Sequence, residues 1–147
     1  MKKFVYKMKS VLNIKEKLEE QEKARYAAAL AKLNEEEEKL SRLYDRRAAC
    51  EERLRESVGA SLNVMAIRHN EDALETLKDF IGRQKLSVKK AQDNVDAAMH
   101  RLREAMAERK THERLKEKAF EEYLAEQNAE EQKEIDELVS YRHGTKE

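Results

Sequence analysis

The stretch "IRHNEDALETLKDFIGRQKLSVKKAQDNVDAAMHRL", residues 67–102, decides the fold because apolar residues recur in it at intervals of seven. One heptad position is occupied by Ile67, Leu74, Ile81, Val88, Val95 and Leu102. A second position carries Leu77, Gln84, Ala91, Ala98, Ala105 and His112. This repeat predicts a long helix with a coiled-coil seam, in which the alanine layers let a partner helix come close.

The first part of the chain carries a weaker form of the same repeat. One heptad position holds Leu12, Tyr26, Leu33, Leu40 and Leu54 and is interrupted by Glu19 and Arg47. The second holds Met8, Ala29, Leu43 and Cys50 and is interrupted by Lys15, Glu22 and Glu36. Polar residues in a seam weaken pairing but fix its register, so this helix is predicted to pair with the second one.

The segment between the two repeats predicts a chain reversal. Gly59 can end a helix in the left-handed conformation, and Asn70 followed by two acids is a favourable helix start. We therefore expect an all-α fold, a single antiparallel coiled-coil hairpin over residues 1–147, with helix one at about 4–57, a turn region at about 58–70 and helix two at about 71–142. The unequal arms predict that helix two extends past its partner.

Composition and charge exclude several classes of function. Charged residues make up 42% of the chain, proline is absent, and 31 basic residues balance 31 acidic ones. This composition is typical of long helices, and a balanced charge argues against nucleic acid as a partner. The single cysteine, Cys50, indicates a reducing compartment, and no apolar run approaches the roughly 20 residues that span a bilayer. A cytoplasmic protein is predicted.

The sequence shows no pattern expected of a catalytic or metal site. It has no glycine-rich phosphate loop, and its four histidines are too far apart along the chain for a metal-binding pair on one helical turn. His112 is interpreted as a polar seam layer and Cys50 as a small seam residue. We therefore predict a protein that is not an enzyme and needs no cofactor or metal.

One segment resembles a known family. The stretch "ERKTHERLKEKAFEEYLAEQNAEEQKEIDEL", residues 108–138, is similar to the C-terminal signature of the FliJ-type flagellar export proteins, in particular through Glu131, Gln132, Lys133, Asp136 and Glu137. The resemblance implies a helical hairpin similar to the stalk of the rotary ATPase gamma subunit. It also implies a cytoplasmic component of the flagellar type III protein export apparatus.

The resemblance implies three partners and two binding surfaces. The partners are the hexameric flagellar export ATPase, the cytoplasmic region of the export gate and flagellar export chaperones, and membrane association would be peripheral and through partners only. The helix end implied to bind the ATPase and promote its assembly carries Gln132, Lys133, Ile135, Asp136, Glu137 and Leu138. The implied gate-binding surface carries Leu43, Cys50, Leu77 and Phe80.

Two alternative functions agree with the same residues. The polar seam positions could specify a self-associating structural spacer instead of an internal hairpin. A holdase-type chaperone could use the adaptable apolar side chains of Met65, Ile67, Met99 and Met106. A related injectisome stalk would have the same physical features as a flagellar one.

Overall fold

A computed structural model describes residues 2–60 and 63–146, most of which belong to two long helices. Helix α1 spans Lys9–Ala60 and helix α2 spans Val64–Lys146. The helices pack antiparallel: Gln84 of α2 hydrogen-bonds to Glu36 of α1, while nearer the reversal Asn70 contacts Cys50. No strand occurs in the described residues. The predicted all-α antiparallel hairpin is confirmed.

The chain divides into two compact units, each of which contains a part of both helices. Unit 1 consists of Met1–Gln21 and Arg103–Glu147, and unit 2 consists of Glu22–Leu102. The hairpin pairing is present within each unit. That residues 1–147 form one domain stays a prediction.

The N-terminal bound of helix one was predicted wrongly. The helix starts at Lys9, not near Phe4, and residues 2–6 have no regular secondary structure. The ring of Phe4 packs edge-on against Phe120, with ring centroids 5.1 Å apart, and also contacts Tyr123 at 5.3 Å. The Tyr123 hydroxyl donates a hydrogen bond to the Lys2 carbonyl. These contacts with α2 hold the segment in a non-helical conformation, which a local pattern could not reveal.

The reversal is shorter than the predicted region of about 58–70. Helix α1 continues through Gly59, whose φ is not positive, so this glycine does not end the helix. Helix α2 begins at Val64, and Asn63 caps it: its Oδ1 accepts hydrogen bonds from the backbone N–H groups of Met65 and Ala66, at 3.2 and 3.3 Å. The predicted start of helix two near 71 is therefore wrong. Its predicted end near 142 is also wrong, because α2 continues to Lys146. Ser61 and Leu62 of the predicted turn lie outside the described residues.

Asn70 has another role than the cap predicted for it. It lies inside α2, where its side-chain amide donates to Ser57 Oγ at 3.5 Å. Its carbonyl accepts a hydrogen bond from the Cys50 thiol at 3.4 Å. Asn70 thus joins the two helices close to the reversal. Asn63, seven residues earlier, is the residue that caps α2.

The seam of unit 2 is built around Leu33 of α1. Leu33 packs with Ala91 and Val95, and all three are buried. The half-buried residues packed against this cluster are Tyr26, Ala29, Leu30 and Val88. The small alanines on both helices allow the close approach that the sequence pattern predicted.

Two predicted polar seam positions are paired across the helices. Gln84 donates to both the backbone carbonyl and the carboxylate of Glu36, at 2.9 and 2.5 Å, and Glu36 is only 7% exposed. The hydrogen bond from Gln84, and then that from Lys32, lowers the pKa of the Glu36 carboxyl. In unit 1, Arg109 donates to Glu19, and this bond raises the pKa of the arginine. These layers fix the register of the seam.

Candidate partner-binding surfaces

The C-terminal end of α2 is a helix without a covered face. Every residue from 128 to 144 is exposed. Four large apolar side chains in this stretch are more than half exposed: Ile135 at 52%, Leu138 at 63%, Val139 at 51% and Tyr141 at 71%. Single exposed apolar residues are common on protein surfaces, but a group on consecutive turns of one helix marks a surface suited to binding.

The apolar side chains of this end share one side of the helix. At about 100° per residue, Ile135, Leu138 and Val139 fall within an arc of roughly 100°. Gln132 and Asp136 border that arc, and the Gln132 amide donates to the Asp136 carboxylate at 3.1 Å. The segment therefore presents a small apolar strip with a polar edge that is already ordered by a side-chain hydrogen bond.

The two remaining residues of the predicted ATPase-binding set lie elsewhere on the helix. Lys133 and Glu137 are exposed and, at about 100° per residue, point roughly opposite to Ile135. A partner that contacts one side of α2 would leave both untouched, whereas a partner that surrounds the helix would contact all six residues. The whole predicted set is accessible, and its role stays a prediction.

The residues predicted to bind the export gate lie in unit 2 and differ in accessibility. Phe80 is 45% exposed and stands outside the seam. Leu43 and Leu77 are half-buried. Cys50 is only 3% exposed and its thiol donates to the Asn70 carbonyl, so a partner could reach it only if the helices separated. Among the four, Phe80 is the residue that the fold leaves open to a partner.

Sequence reasoning missed two features next to these surfaces. Val139 and Tyr141 extend the apolar strip of the C-terminal end, and their spacing from Ile135 and Leu138 was a readable signal. In unit 2 two cations lie over the ring of Tyr44: the Arg47 guanidinium is 4.9 Å and the Lys85 ammonium 5.9 Å from its centroid. This contact depends on the pairing of the two helices, which no local pattern reveals.

The described residues contain no cluster of metal-ligating side chains. No group of three or more histidine, cysteine, aspartate or glutamate residues in them could hold a metal ion. Cys50 is a free, buried thiol. In the part of the chain that the structure describes, neither helix is apolar over a stretch long enough to cross a membrane.

The sequence matches a known protein family over almost its whole length. The family model described as flagellar FliJ protein matches residues 3–147. The chain belongs to the FliJ family. This FliJ-family chain is accordingly a component associated with type III protein export. No curated protein matches it significantly.

Among solved structures, this FliJ-family chain is similar to a protein described as a YscO homolog, CT670, from Chlamydia trachomatis. The TM-score is 0.55, the sequence identity is 22%, and the match covers 96% of each chain. At this identity the similarity shows the fold alone.

Proposed function

We propose that this FliJ-family chain is a non-catalytic stalk of the flagellar export apparatus. In this proposal the C-terminal end of α2 inserts into the hexameric export ATPase and promotes its assembly and activity. The observation that carries the proposal is the exposure of every residue from 128 to 144, together with the uncovered apolar strip at Ile135, Leu138 and Val139. A helix end of this kind gains stability when a partner covers it.

The chemistry of this end suits the inside of a ring of subunits. A single α-helix is about 10–12 Å wide with its side chains, so it is a slender insert. Ile135 and Leu138 supply an apolar anchor, the type of contact in which interfaces concentrate their binding energy. Gln132 beside this anchor, and Lys133 and Glu137 on the opposite side of the helix, supply donors and acceptors, so several subunits could be contacted at once.

The proposal includes two further partners. We propose that Phe80, with the half-buried Leu43 and Leu77 beside the seam, contributes to binding the cytoplasmic region of the export gate. Export chaperones are proposed as additional partners on the strength of family membership. The protein would then act in the cytoplasm, at the inner face of the membrane, and be held there through its partners only.

Stimulation of the ATPase tests the main proposal. The purified export ATPase from the same cell is titrated with the chain while ATP hydrolysis is measured. The double variant Gln132→Ala/Asp136→Ala removes the 3.1 Å pair of the C-terminal end. The matched control Gln92→Ala/Asp96→Ala removes a pair of the same type, at 3.0 Å, from an exposed face in unit 2.

Wild type and control are expected to stimulate hydrolysis with the same half-maximal concentration. The C-terminal double variant should need about tenfold more protein, equivalent to losing about 1.4 kcal/mol of binding free energy. Circular dichroism of all three proteins checks that helix content is unchanged. Equal stimulation by both double variants would contradict the proposed surface, and a lack of stimulation by wild type would contradict the stalk function.

A further inference from the structure

A line of basic residues runs along one edge of α1 in unit 2. From residue 25 to residue 53 every seventh position is basic: Arg25, Lys32, Lys39, Arg46 and Arg53. We call these five residues the basic stripe. The side chains of Arg25, Lys32 and Lys39 are 62%, 56% and 43% exposed, and Arg46 and Arg53 are exposed residues. At about 1.5 Å per residue the basic stripe is roughly 42 Å long.

The groove beside the seam shows which edge of the hairpin the basic stripe follows. Lys39 and Arg46 line it together with the seam residues Leu43 and Gln84. In an antiparallel pair, the corresponding heptad positions of the two helices flank the same edge. On α2 these positions are Ala66, Ala73, Phe80, Ser87, Asn94 and Arg101. None of them is acidic, so the basic stripe faces no opposite charge across the seam.

The ion pairs of the basic stripe are made within α1 itself. Arg25 pairs with Glu22 at 3.2 Å, Lys32 with Glu36 at 3.0 Å and Lys39 with Glu35 at 3.4 Å. The Lys39–Glu35 pair is exposed on both sides, at 43% and 54%, and such a pair contributes little stability, typically a few tenths of a kcal/mol. Glu22 and Glu36 are only 16% and 10% exposed, so their pairs with Arg25 and Lys32 are partly buried. Each of the three cations still has further N–H donors for a partner, because a guanidinium carries five and an ammonium three.

When a partner docks, Arg46 and Arg53 would break no ion pair with the residues that the structure describes. Within residues 2–60 and 63–144, neither guanidinium makes an ion pair. Flanking positions of a coiled-coil hairpin ordinarily carry opposite charges that pair across the helices. Five like charges at heptad spacing, with no acids opposite, add nothing to the pairing of α1 with α2. Such a row of cations is instead complementary to a row of acidic residues at heptad spacing on a third helix.

We propose that the basic stripe is a docking surface for an acidic helix of a partner protein. The partner helix lies along the groove beside Leu43 and Gln84, places an acidic residue at every seventh position against the basic stripe, and covers the half-exposed ring of Phe80 with an apolar side chain. This surface is independent of the proposed ATPase contact, since it lies in unit 2 and uses other residues. It shares Leu43 and Phe80 with the proposed gate-binding surface and in that respect rests on the proposed function. It also defines the chemistry of the partner, which the proposed function does not.

The spacing of the charges favours a helix over nucleic acid or lipid. Cations every seven residues are about 10.5 Å apart, which is the heptad repeat of another helix. Phosphates follow one another much more closely, at about 3.4 Å of helix axis per strand in duplex DNA. Acids also stand between the cations, since Glu22, Glu35 and Glu36 lie on the same helix. A polyanion would meet these carboxylates, whereas the side chains of a helix can pass between them.

A designed peptide tests the proposal with the full chain. The probe is a fluorescent helical peptide of about 28 residues that carries glutamate at one flanking heptad position and leucine at the adjacent seam position. A second peptide carries glutamine in place of those glutamates. Binding is measured by fluorescence anisotropy. The variant Arg46→Gln/Arg53→Gln is compared with Lys78→Gln/Lys89→Gln, which removes two exposed charges from the opposite edge of α2.

The acidic peptide is expected to bind wild type and the α2 control within twofold of each other, and Arg46→Gln/Arg53→Gln at least about fivefold more weakly. Binding should weaken as salt rises, because exposed charges are screened. Equal binding of the glutamate and glutamine peptides, or equal binding to both double variants, would overturn the proposal. So would tighter binding of duplex DNA or phosphatidylglycerol vesicles than of the peptide, or a doubling of molar mass that depends on Arg46 and Arg53, which would identify a second copy as the occupant.

Discussion

Truncating Leu33 to alanine tests whether the seam of unit 2 holds the two helices together. Leu33 is 7% exposed and packs with Ala91 and Val95. The substitution removes three carbon atoms, and about 0.8 kcal/mol per buried CH₂ gives roughly 2.4 kcal/mol of lost transfer free energy. A narrow seam lined by alanines can close part of the space, so the cavity adds little and we expect a total loss of about 2–3 kcal/mol.

The assay is urea unfolding of the full chain followed by far-ultraviolet circular dichroism. Leu86→Ala is the matched control because Leu86 is 72% exposed, and its free energy of unfolding should stay within about 0.5 kcal/mol of wild type. A Leu33→Ala protein as stable as the control would refute the packing described for unit 2. Unfolding midpoints that stay constant over a tenfold range of protein concentration would show an intramolecular hairpin, whereas a midpoint that rises with concentration would favour the self-associating spacer.

Three further predictions concern single side chains. Asn63→Ala should lower the free energy of unfolding by about 1 kcal/mol in urea titrations, because the cap of α2 is lost; an unchanged stability would place the cap elsewhere. The pKa of Glu36 is lowered in the folded chain, so its contribution is complete above about pH 4.5 and is lost as the pH falls through the folded pKa. Thermal melts at pH 6 and pH 3, with each pH set to within about 0.1 unit, should therefore show a smaller fall in melting temperature for Glu36→Gln than for wild type. Equal falls for the two proteins would contradict this prediction. Phe4→Ala should speed tryptic cleavage after Lys7, since the ring contacts with Phe120 hold the N-terminal segment on α2, and an unchanged cleavage rate would argue against that packing.

The periodic part of the fold was predictable because the heptad repeat encodes it directly. The buried hydrophobic residues in the described part of α2, among them Ile81, Ala91 and Val95, all lie on the predicted seam, whereas the buried Gln127 lies outside it. The polar seam residues Glu19 and Glu36 were also identified correctly as seam layers. Burial at heptad spacing is a local property of the sequence, and for this reason the pattern was sufficient to predict it.

The start of α1 was predicted poorly because contacts distant in sequence decide it, whereas the start of α2 is set by the local cap at Asn63, which sequence reasoning overlooked. Gly59 and Asn70 carry strong local signals for a turn, yet α1 continues to Ala60 and Asn70 lies inside α2, where it accepts a hydrogen bond from Cys50. The start of α1 depends on Phe4, which packs against a residue more than a hundred positions away. Turn propensities of single residues cannot register either contact.

The candidate surfaces were only partly accessible to sequence reasoning. The C-terminal set around Ile135 was identified from a motif, and its exposure follows from the absence of a seam there. Cys50 was assigned to a binding surface by position, although its heptad position already indicated burial. The basic stripe is visible in the sequence at Arg25 through Arg53, but the lack of acids opposite it became meaningful only once the register of α2 was known.

Site-directed cross-linking at the C-terminal end of α2 tests the central claim most directly. The substitution Cys50→Ala leaves a chain without cysteine, into which Ile135→Cys, or Leu86→Cys as the exposed control, introduces a single position for a benzophenone probe. Each labelled chain is irradiated with the hexameric export ATPase and ATP. The account predicts a covalent product with the ATPase from position 135 and none from position 86. Cross-linking from position 86 alone, or equal yields from both positions, would contradict it.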